Sequence, residues 1–168
     1  MTWLSEHEWA RIQEAIPIVV VDIVLLTTND PPLVGLIKRE TPHQGIRWNL
    51  VGGRIRYGES IAEAVLREAR ENLGPDLAIE LPDVSVPNYV AQYSPTNGPG
   101  FLSDPRKHAV ALTYALGASG TVSPKREALA FAWFRVEQLP SRNQWGFEQD
   151  RAAEGCLRNA GFKPDFMT

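Results

Sequence analysis

Cysteine is nearly absent from this chain. Cys156 is the single one in 168 residues, so an internal disulfide is excluded and a reducing compartment such as the cytoplasm is expected. Its neighbours Ala152, Ala153 and Leu157 read as a helix, which makes Cys156 a packing residue rather than a reactive thiol. Histidine is scarce too. His7, His43 and His108 are scattered, so no Cys/His cluster suggests zinc and no Ser-His-Asp arrangement can be argued. His43, in the loop before the glycine pair, is open to a substrate role or to none, while His108 opens a strand and reads as structural. There is no surplus of positive charge: 17 Lys and Arg against 20 Asp and Glu give a net charge of −3, which argues against nucleic acid as the main partner. No apolar run approaches membrane-spanning length, so a membrane is not expected as a partner. The segment from Trp3 to Ala15 is charged and amphipathic, unlike a signal peptide.

What is present is an ordinary globular composition, 43% hydrophobic and 22% charged, at a length suited to one domain. Ser5 to Glu8 reads as a capping box, with Leu4 and Trp9 as its hydrophobic staple. A helix is expected from Glu6 to Ile16, with Trp9, Ile12 and Ile16 on its apolar face and Pro17 as its stop. Ile18 to Thr27 is β-branched and apolar apart from Asp22, a buried strand. A turn follows at Asn29 to Pro32, then a strand from Leu33 to Lys38, a loop from Arg39 to Gly45 and a short strand from Trp48 to Val51. Ser60 to Leu73 is helical, with Ala62, Val65, Leu66 and Ala69 on its buried face and Gly74-Pro75 at its end. Val84 to Tyr93 reads as an edge or bulged strand because of Pro87. Ser94 to Arg106 is a long exposed loop of the kind that carries function. His108 to Ala118 and Ala130 to Val136 complete the strands, and Phe147 to Asn159 closes the chain as a helix. The order helix, strands, helix, strands, helix predicts an α+β fold. It divides into an amino-terminal helix (1–16), a core (17–139) and a carboxy-terminal helix region (140–168).

The most informative stretch is Gly52-Gly53-Arg54-Ile55-Arg56-Tyr57-Gly58-Glu59, running on to Arg67-Glu68-Ala69-Arg70-Glu71-Asn72-Leu73-Gly74. A glycine turn feeds a helix on which Glu68, Glu71 and Asn72 are spaced i, i+3, i+4 and share one face. Clustered oxygen donors suit a hard divalent cation that bridges substrate phosphates. The residues alone also allow a solvated acidic face paired to Arg67 and Arg70.

The stretch resembles the signature of the Nudix hydrolases. Gly53, Glu59, Arg67, Glu68, Glu71 and Gly74 match fixed positions, with Ala69 at an apolar one. Asn72 replaces the second paired glutamate, and Pro75 an apolar residue. The resemblance implies an α/β/α sandwich with a mixed sheet, and a Mg²⁺ or Mn²⁺ cofactor held by Glu68, Glu71 and the Gly52 carbonyl. It also implies that Arg67, paired with Glu59, orients the glutamates. Glu127 lies in a loop before Trp133, where many members carry a catalytic or ligand glutamate. It is then a candidate general base, and otherwise a solvated loop residue.

A narrower resemblance, to the GDP-mannose mannosyl hydrolase branch, rests on Pro17 to Asp22, Lys38-Arg39 and Gly52-Gly53-Arg54. It implies that Asp22, Arg39 and Arg54 hold substrate and departing diphosphate, and that the chain forms a homodimer. The branch differs here in two ways. It lacks the glutamate matching Glu68 and keeps one at Asn72, and its loop histidine falls near Ala128. Trp3 and Trp9 on an amphipathic first helix also offer dimer surface. Together these features predict a cytoplasmic, metal-dependent hydrolase of a nucleoside diphosphate linked to another moiety, such as a nucleotide sugar. A non-catalytic nucleotide-binding module on the same fold is the rival that Asn72 keeps open. A partner-binding role rests on the first helix alone.

Overall fold

The computed structural model describes residues 4–96 and 98–168. In chain order the elements are α1 (Glu6–Ala15), β1 (Ile18–Thr27), β2 (Leu33–Thr41), β3 (Gly45–Asn49), β4 (Val51–Arg54) and α2 (Ile61–Leu73). Then come β5 (Leu77–Ile79), β6 (Tyr89–Ser94), β7 (Leu102–Ser103), β8 (Ala109–Gly120), β9 (Ala130–Arg135) and α3 (Gln149–Asn159).

β1 is a near-continuous run of Ile, Val and Leu, and such a strand needs cover on both faces. It pairs in parallel with β8 along its whole length, from Ile18 opposite Ala109 to Thr27 opposite Ala118. Its other edge is shared: β2 meets it at Leu25 and Leu26, and β4 at Val20 to Ile23. β3 and β9 flank β2, β5 and β6 flank β8, and β7 joins β6, so one mixed sheet results. Alternation along β1 divides the core. Val21, Ile23 and Leu25 pack against Ala64, Val65, Ala69 and Leu73 of α2. Val24 and Leu26 share the opposite face with Ala153, Cys156 and Leu157 of α3. The sheet between helices is the expected α/β/α sandwich, and Cys156 is a buried packing thiol that burial pushes up to about 12. Asp22 falls on the α3 face, two residues from Val20 and two from Val24. α1 is capped by Ser5 and Glu8 as its sequence predicts, buries no residue, and leans on the sheet through Trp9 and Ile12.

Several expectations are corrected. Arg39 to Gly45 is not a loop: β2 runs through Thr41 and pairs Arg39 with Arg47 and Glu40 with Ile46. Charged residues do not end a strand whose ladder continues. Trp48 to Val51 is broken at Leu50, whose N–H donates to Gln149 Oε1 at 2.9 Å. Gly52 and Gly53 are therefore strand residues, not a turn. The buried face of α2 is rotated from the expected one. It carries Ala64, Val65, Glu68, Ala69, Asn72 and Leu73, while Leu66 is 44% exposed. Counting only apolar residues missed that two of the buried ones are polar. Pro87 stays outside β6, where Asn88 Oδ1 accepts the Ala115 N–H at 2.9 Å in place of a strand partner. The loop from 94 to 106 contains β7 and buries Leu102 and Asp104. Its Asn97 lies outside the described residues. β5 was not foreseen, since three residues give too short a pattern. α3 starts at Gln149 because Phe147 and Glu148 adopt left-handed backbone, with φ of 56° and 55°.

Candidate functional site

α2 is set by a capping box between Ser60 and Glu63 and stopped by Gly74 at φ 92°. Its start is fixed, so the helical period carries Glu68, Glu71 and Asn72 to the edge facing β4. Gly53 is paired with Val21 and points to α2, where an added Cβ would lie 2.3 Å from Glu68 Oε1. Gly52 is paired with Asp22 and points the other way, where a Cβ would lie 2.4 Å from Asp22 Oδ1. Only glycine at both positions lets the strand pass between these carboxylates.

Arg67 ties this region together. Its Nε and Nη2 donate to Glu59 at 2.6 and 2.8 Å, Nη2 also donates to the Arg54 carbonyl at 2.9 Å, and Nη1 meets Glu68. Glu59 accepts the Arg56 N–H at 2.9 Å as well. The Arg67 bonds hold the Glu59 carboxyl below the usual carboxylate range, and Glu59 in turn raises the Arg67 guanidinium. Glu71 faces Arg56 at 3.3 Å, Arg67 at 3.7 Å, and Arg126. Asn72, 6% exposed, donates its amide to the Glu68 carbonyl at 3.0 Å and to Glu68 Oε2 at 3.2 Å.

Across β4 lies a second polar group. Burial lifts the Asp22 carboxyl to about 6, with Arg39 and Lys107 acting against the rise. Gln149 Nε2 donates to Asp22 Oδ2 at 3.4 Å while its oxygen takes the Leu50 N–H, so one side chain sets both β1 and the strand break. Arg39 pairs with Glu127 at 2.8 Å. Burial lowers the Arg39 guanidinium and Glu127 opposes this. Tyr93 is buried beside Asp22. Burial first, and the Asp22 charge second, raise its phenol, and the nearby Gln149 side chain acts against the rise. Asp104 holds Arg106 through two bonds of 2.9 Å, and the Arg106 guanidinium lies 4.4 Å from the Phe147 ring centre.

Both groups open on one cavity of about 370 Å³. Arg39, Arg54, Arg56, Arg67, Arg106, Lys107 and Arg126 line it, against Asp22, Glu68, Glu71, Asp104 and Glu127. Seven cations against five carboxylates is a local excess of two in a chain whose net charge is −3, the setting for an anionic ligand held by arginine forks. Of the residues singled out in the sequence, Asp22, Arg39, Gly52, Arg54, Arg67, Glu68, Glu71, Asn72 and Glu127 line this cavity, and Glu59 stands behind Arg67. His43 sits in the β2–β3 turn, outside the lining. Ala128 is buried in the α2-side core and cannot face a substrate. The loop from Ser94 to Arg106, expected to carry function, supplies Asp104 and Arg106, while the sequence reading missed Arg56, Tyr93, Lys107, Arg126, Phe147 and Gln149. Arg56 and Arg126 adjoin residues already singled out, and Asp104 to Lys107 is a charge run in a Pro- and Gly-rich loop. Tyr93 and Gln149 carry no local signal.

Among the described residues, no three Asp, Glu, His or Cys side chains gather closely enough to hold a metal unaided. The donor set still fits a small hard cation. Glu68 and Glu71 supply carboxylates, the Gly52 carbonyl lies on the strand between, and Mg²⁺ commonly uses one or two carboxylates with substrate oxygens and water. No helix among the described residues is long and apolar enough to cross a membrane.

Residues 1–158 match the family described as "Domain of unknown function (DUF4916)", and the chain belongs to it. The NAD-capped RNA hydrolase NudC of Stutzerimonas stutzeri is 31% identical over 121 residues, 71% of this chain and 37% of that one. The low-salt glycan biosynthesis protein Agl8 of Haloferax volcanii is 34% identical over 79 residues, 47% of this chain and 49% of that one. The chain spans about a third to a half of the length of the curated relatives it matches. A solved structure from Jonesia denitrificans, described as a possible asymmetric diadenosine tetraphosphate (Ap(4)A) hydrolase, superposes with a TM-score of 0.79 at 30% identity. The match covers 89% of this chain and 98% of that one. With the signature helix locked to its glycine strand through Glu59 and Arg67, and with these relatives, the chain belongs to the Nudix hydrolase family.

Proposed function

We propose that this chain hydrolyses a nucleoside diphosphate linked to another moiety, with Mg²⁺ or Mn²⁺ as cofactor. The observation that carries the reading is the arginine-rich cavity built around the Glu59–Arg67–Glu68 chain, where cations outnumber carboxylates although the protein is acidic. Glu68, Glu71 and the Gly52 carbonyl are the metal ligands, and the bound cation would polarise a phosphoryl oxygen. Arg67 is a positioning residue, fixed by Glu59. Arg39 and Arg54 grip phosphate, with Asp22 beside them, through charge-assisted contact. Glu127 is the general base, taking a proton from the attacking water, and Arg39 aims its carboxylate at 2.8 Å. The NudC and Ap(4)A hydrolase names both describe nucleotides joined through phosphates, which supports this substrate class.

A second reading is a nucleotide-binding module without turnover. Asn72 favours it, because the buried amide donates to Glu68 and adds no negative charge to the metal face. Incubation of the protein with nucleotide sugars, ADP-ribose, dinucleoside polyphosphates and nucleoside triphosphates, with Mg²⁺ or Mn²⁺, tests both readings. Product release from a diphosphate-linked member supports the hydrolase. Calorimetric binding without product supports the module. Neither turnover nor binding across the panel refutes both.

The working form is a cytoplasmic homodimer. Leu4, Ile16, Val19 and Tyr57 are 51%, 57%, 45% and 92% exposed along a groove between α1 and β4, apolar area of the kind that a second copy covers. Trp3, expected from the sequence to add to this surface, lies outside the described residues.

A further inference from the structure

The loop between β8 and β9 holds one cavity residue in an unusual conformation. Arg126 has left-handed backbone, with φ of 52°, which residues other than glycine rarely adopt. The loop around it is docked. The Ser123 N–H donates to the Leu73 carbonyl at 2.7 Å and the Lys125 N–H to the Asn72 carbonyl at 2.8 Å, so the loop caps the end of α2. The Ala128 N–H closes a turn on the Lys125 carbonyl at 2.9 Å, and the Leu129 N–H donates to the Lys38 carbonyl at 2.8 Å. With both ends fixed, Arg126 and its neighbour Glu127 reach different partners at the cavity. Arg126 meets Glu71, and Glu127 meets Arg39.

The Arg126–Glu71 contact does not by itself account for that backbone. The Arg126 side chain is 57% exposed, and ion pairs so open to water contribute little. Left-handed backbone at a residue with a side chain costs more than such a pair contributes. Nor does Glu71 depend on it for neutralisation, because Arg56 lies at 3.3 Å and Arg67 at 3.7 Å. A second position of the Arg126 side chain, in contact with a ligand, would explain why the loop holds it here.

Charge decides when the side chain moves. Three guanidinium groups share the Glu71 carboxylate, and a divalent cation held by the same carboxylate would repel all three. Arg67 is fixed by Glu59 and the Arg54 carbonyl, and the Arg56 N–H is fixed on Glu59. Their side chains are 14% and 33% exposed against 57% for Arg126. Arg126 is therefore the group that gives way at least cost. It lines the same cavity as Arg39 and Arg54, so the acceptor open to it there is the phosphate proposed for those arginines.

We propose that Arg126 is an exchangeable phosphate clamp. In the metal-free protein it is a counter-ion of Glu71; it yields that place to a divalent cation and closes on a phosphate of the bound nucleotide. Metal and nucleotide binding are thereby coupled through one side chain. This inference rests on the proposed metal site at Glu68 and Glu71 and on a diphosphate-bearing ligand, and it adds the residue that links the two.

The test is titration calorimetry on the parent, Arg126→Gln and Arg126→Lys. The probes are Mg²⁺ alone and the non-hydrolysable α,β-methylene analogues of ADP, GDP, CDP and UDP, each in chelator and in saturating Mg²⁺. Arg126→Gln should bind Mg²⁺ alone about two- to fivefold more tightly than the parent, since no exposed ion pair has to break. With Mg²⁺ present, it should bind the parent's tightest nucleotide about tenfold more weakly, the loss of one charge-assisted contact. In chelator that nucleotide's affinity should change by less than about twofold, so the gain on adding Mg²⁺ shrinks. Arg126→Lys should leave Mg²⁺ affinity near the parent's and lose part of the nucleotide affinity, because an ammonium cannot make the forked contact. Opposite shifts for metal and nucleotide are a signature that a merely structural role would not give. Unchanged or weaker Mg²⁺ binding in Arg126→Gln would overturn the exchange, and unchanged nucleotide affinity in Mg²⁺, or an equal loss in chelator, would overturn the clamp; both leave the proposed function standing. A parent that binds no Mg²⁺, or none of the four nucleotides in its presence, would overturn the proposed function and this inference with it.

Discussion

Replacing Asn72 with glutamate tests whether the helix face sees a metal. Asn72 is 6% exposed, and its amide donates to Glu68 Oε2 at 3.2 Å and to the Glu68 carbonyl at 3.0 Å. The substitution removes these donors and sets a second carboxylate against the first. Two like charges about 4 Å apart repel by about 4 kcal/mol at an effective dielectric of about 20. Partial protonation of the pair relieves some of this, so about 2–4 kcal/mol of destabilisation is expected without metal. For a domain of this size each kcal/mol shifts Tm by about 2–4 °C, so the variant should melt roughly 4–16 °C below the parent in chelator. A divalent cation offsets the repulsion and binds only the folded state. At about a hundredfold over Kd it adds about 2.7 kcal/mol. With millimolar Mg²⁺ the gap should therefore close or reverse. Paired thermal melts in chelator and in Mg²⁺, with a monovalent salt control at equal ionic strength, decide the matter. An identical deficit in all three conditions would refute the argument, because the face then binds no divalent ion.

Three further outcomes follow from the geometry. Glu71→Gln should abolish the heat of Mg²⁺ binding in calorimetry while leaving the far-ultraviolet circular dichroism unchanged; retained Mg²⁺ affinity would remove Glu71 from the ligand set. Asp22 titrates at about 6 in the folded chain against 3.8 in the reference state, so the native form holds its proton more tightly. Its contribution to stability is greatest below pH 3.8 and declines as pH rises to about 6, by about 3 kcal/mol at most for the shift. Relative to the parent, Asp22→Asn should therefore gain stability in denaturant melts on going from pH 4 to pH 7, and parallel curves would contradict this. Light scattering at micromolar concentration should give twice the chain mass, and Ile16→Glu should halve it; a monomeric parent would dispose of the dimer.

The sequence by itself determined the parts that depend on local spacing. The signature fixes the order glycines, glutamate, Arg-Glu, glutamate. Any helix from Ser60 to Leu73 must then carry Glu68, Glu71 and Asn72 on one edge, since 3.6 residues per turn allows no other result. The apolar run of β1 likewise required cover on both faces. Strand and helix termini were less legible. The break at Leu50 arises from a bond to Gln149, 99 residues away, and no local pattern near Leu50 announces it. The rotation of α2 was misread because Glu68 and Asn72 are polar yet buried, held by Arg67 and by each other. Tertiary structure alone brought Asp22, Tyr93, Lys107 and Gln149 together. They come from β1, β6, the lead into β8 and the start of α3, and only the pairing of β8 with both β1 and β6 makes them neighbours. Local spacing aligns side chains within one element, whereas a pocket is closed by elements far apart in the chain, and their approach is set by the whole sheet.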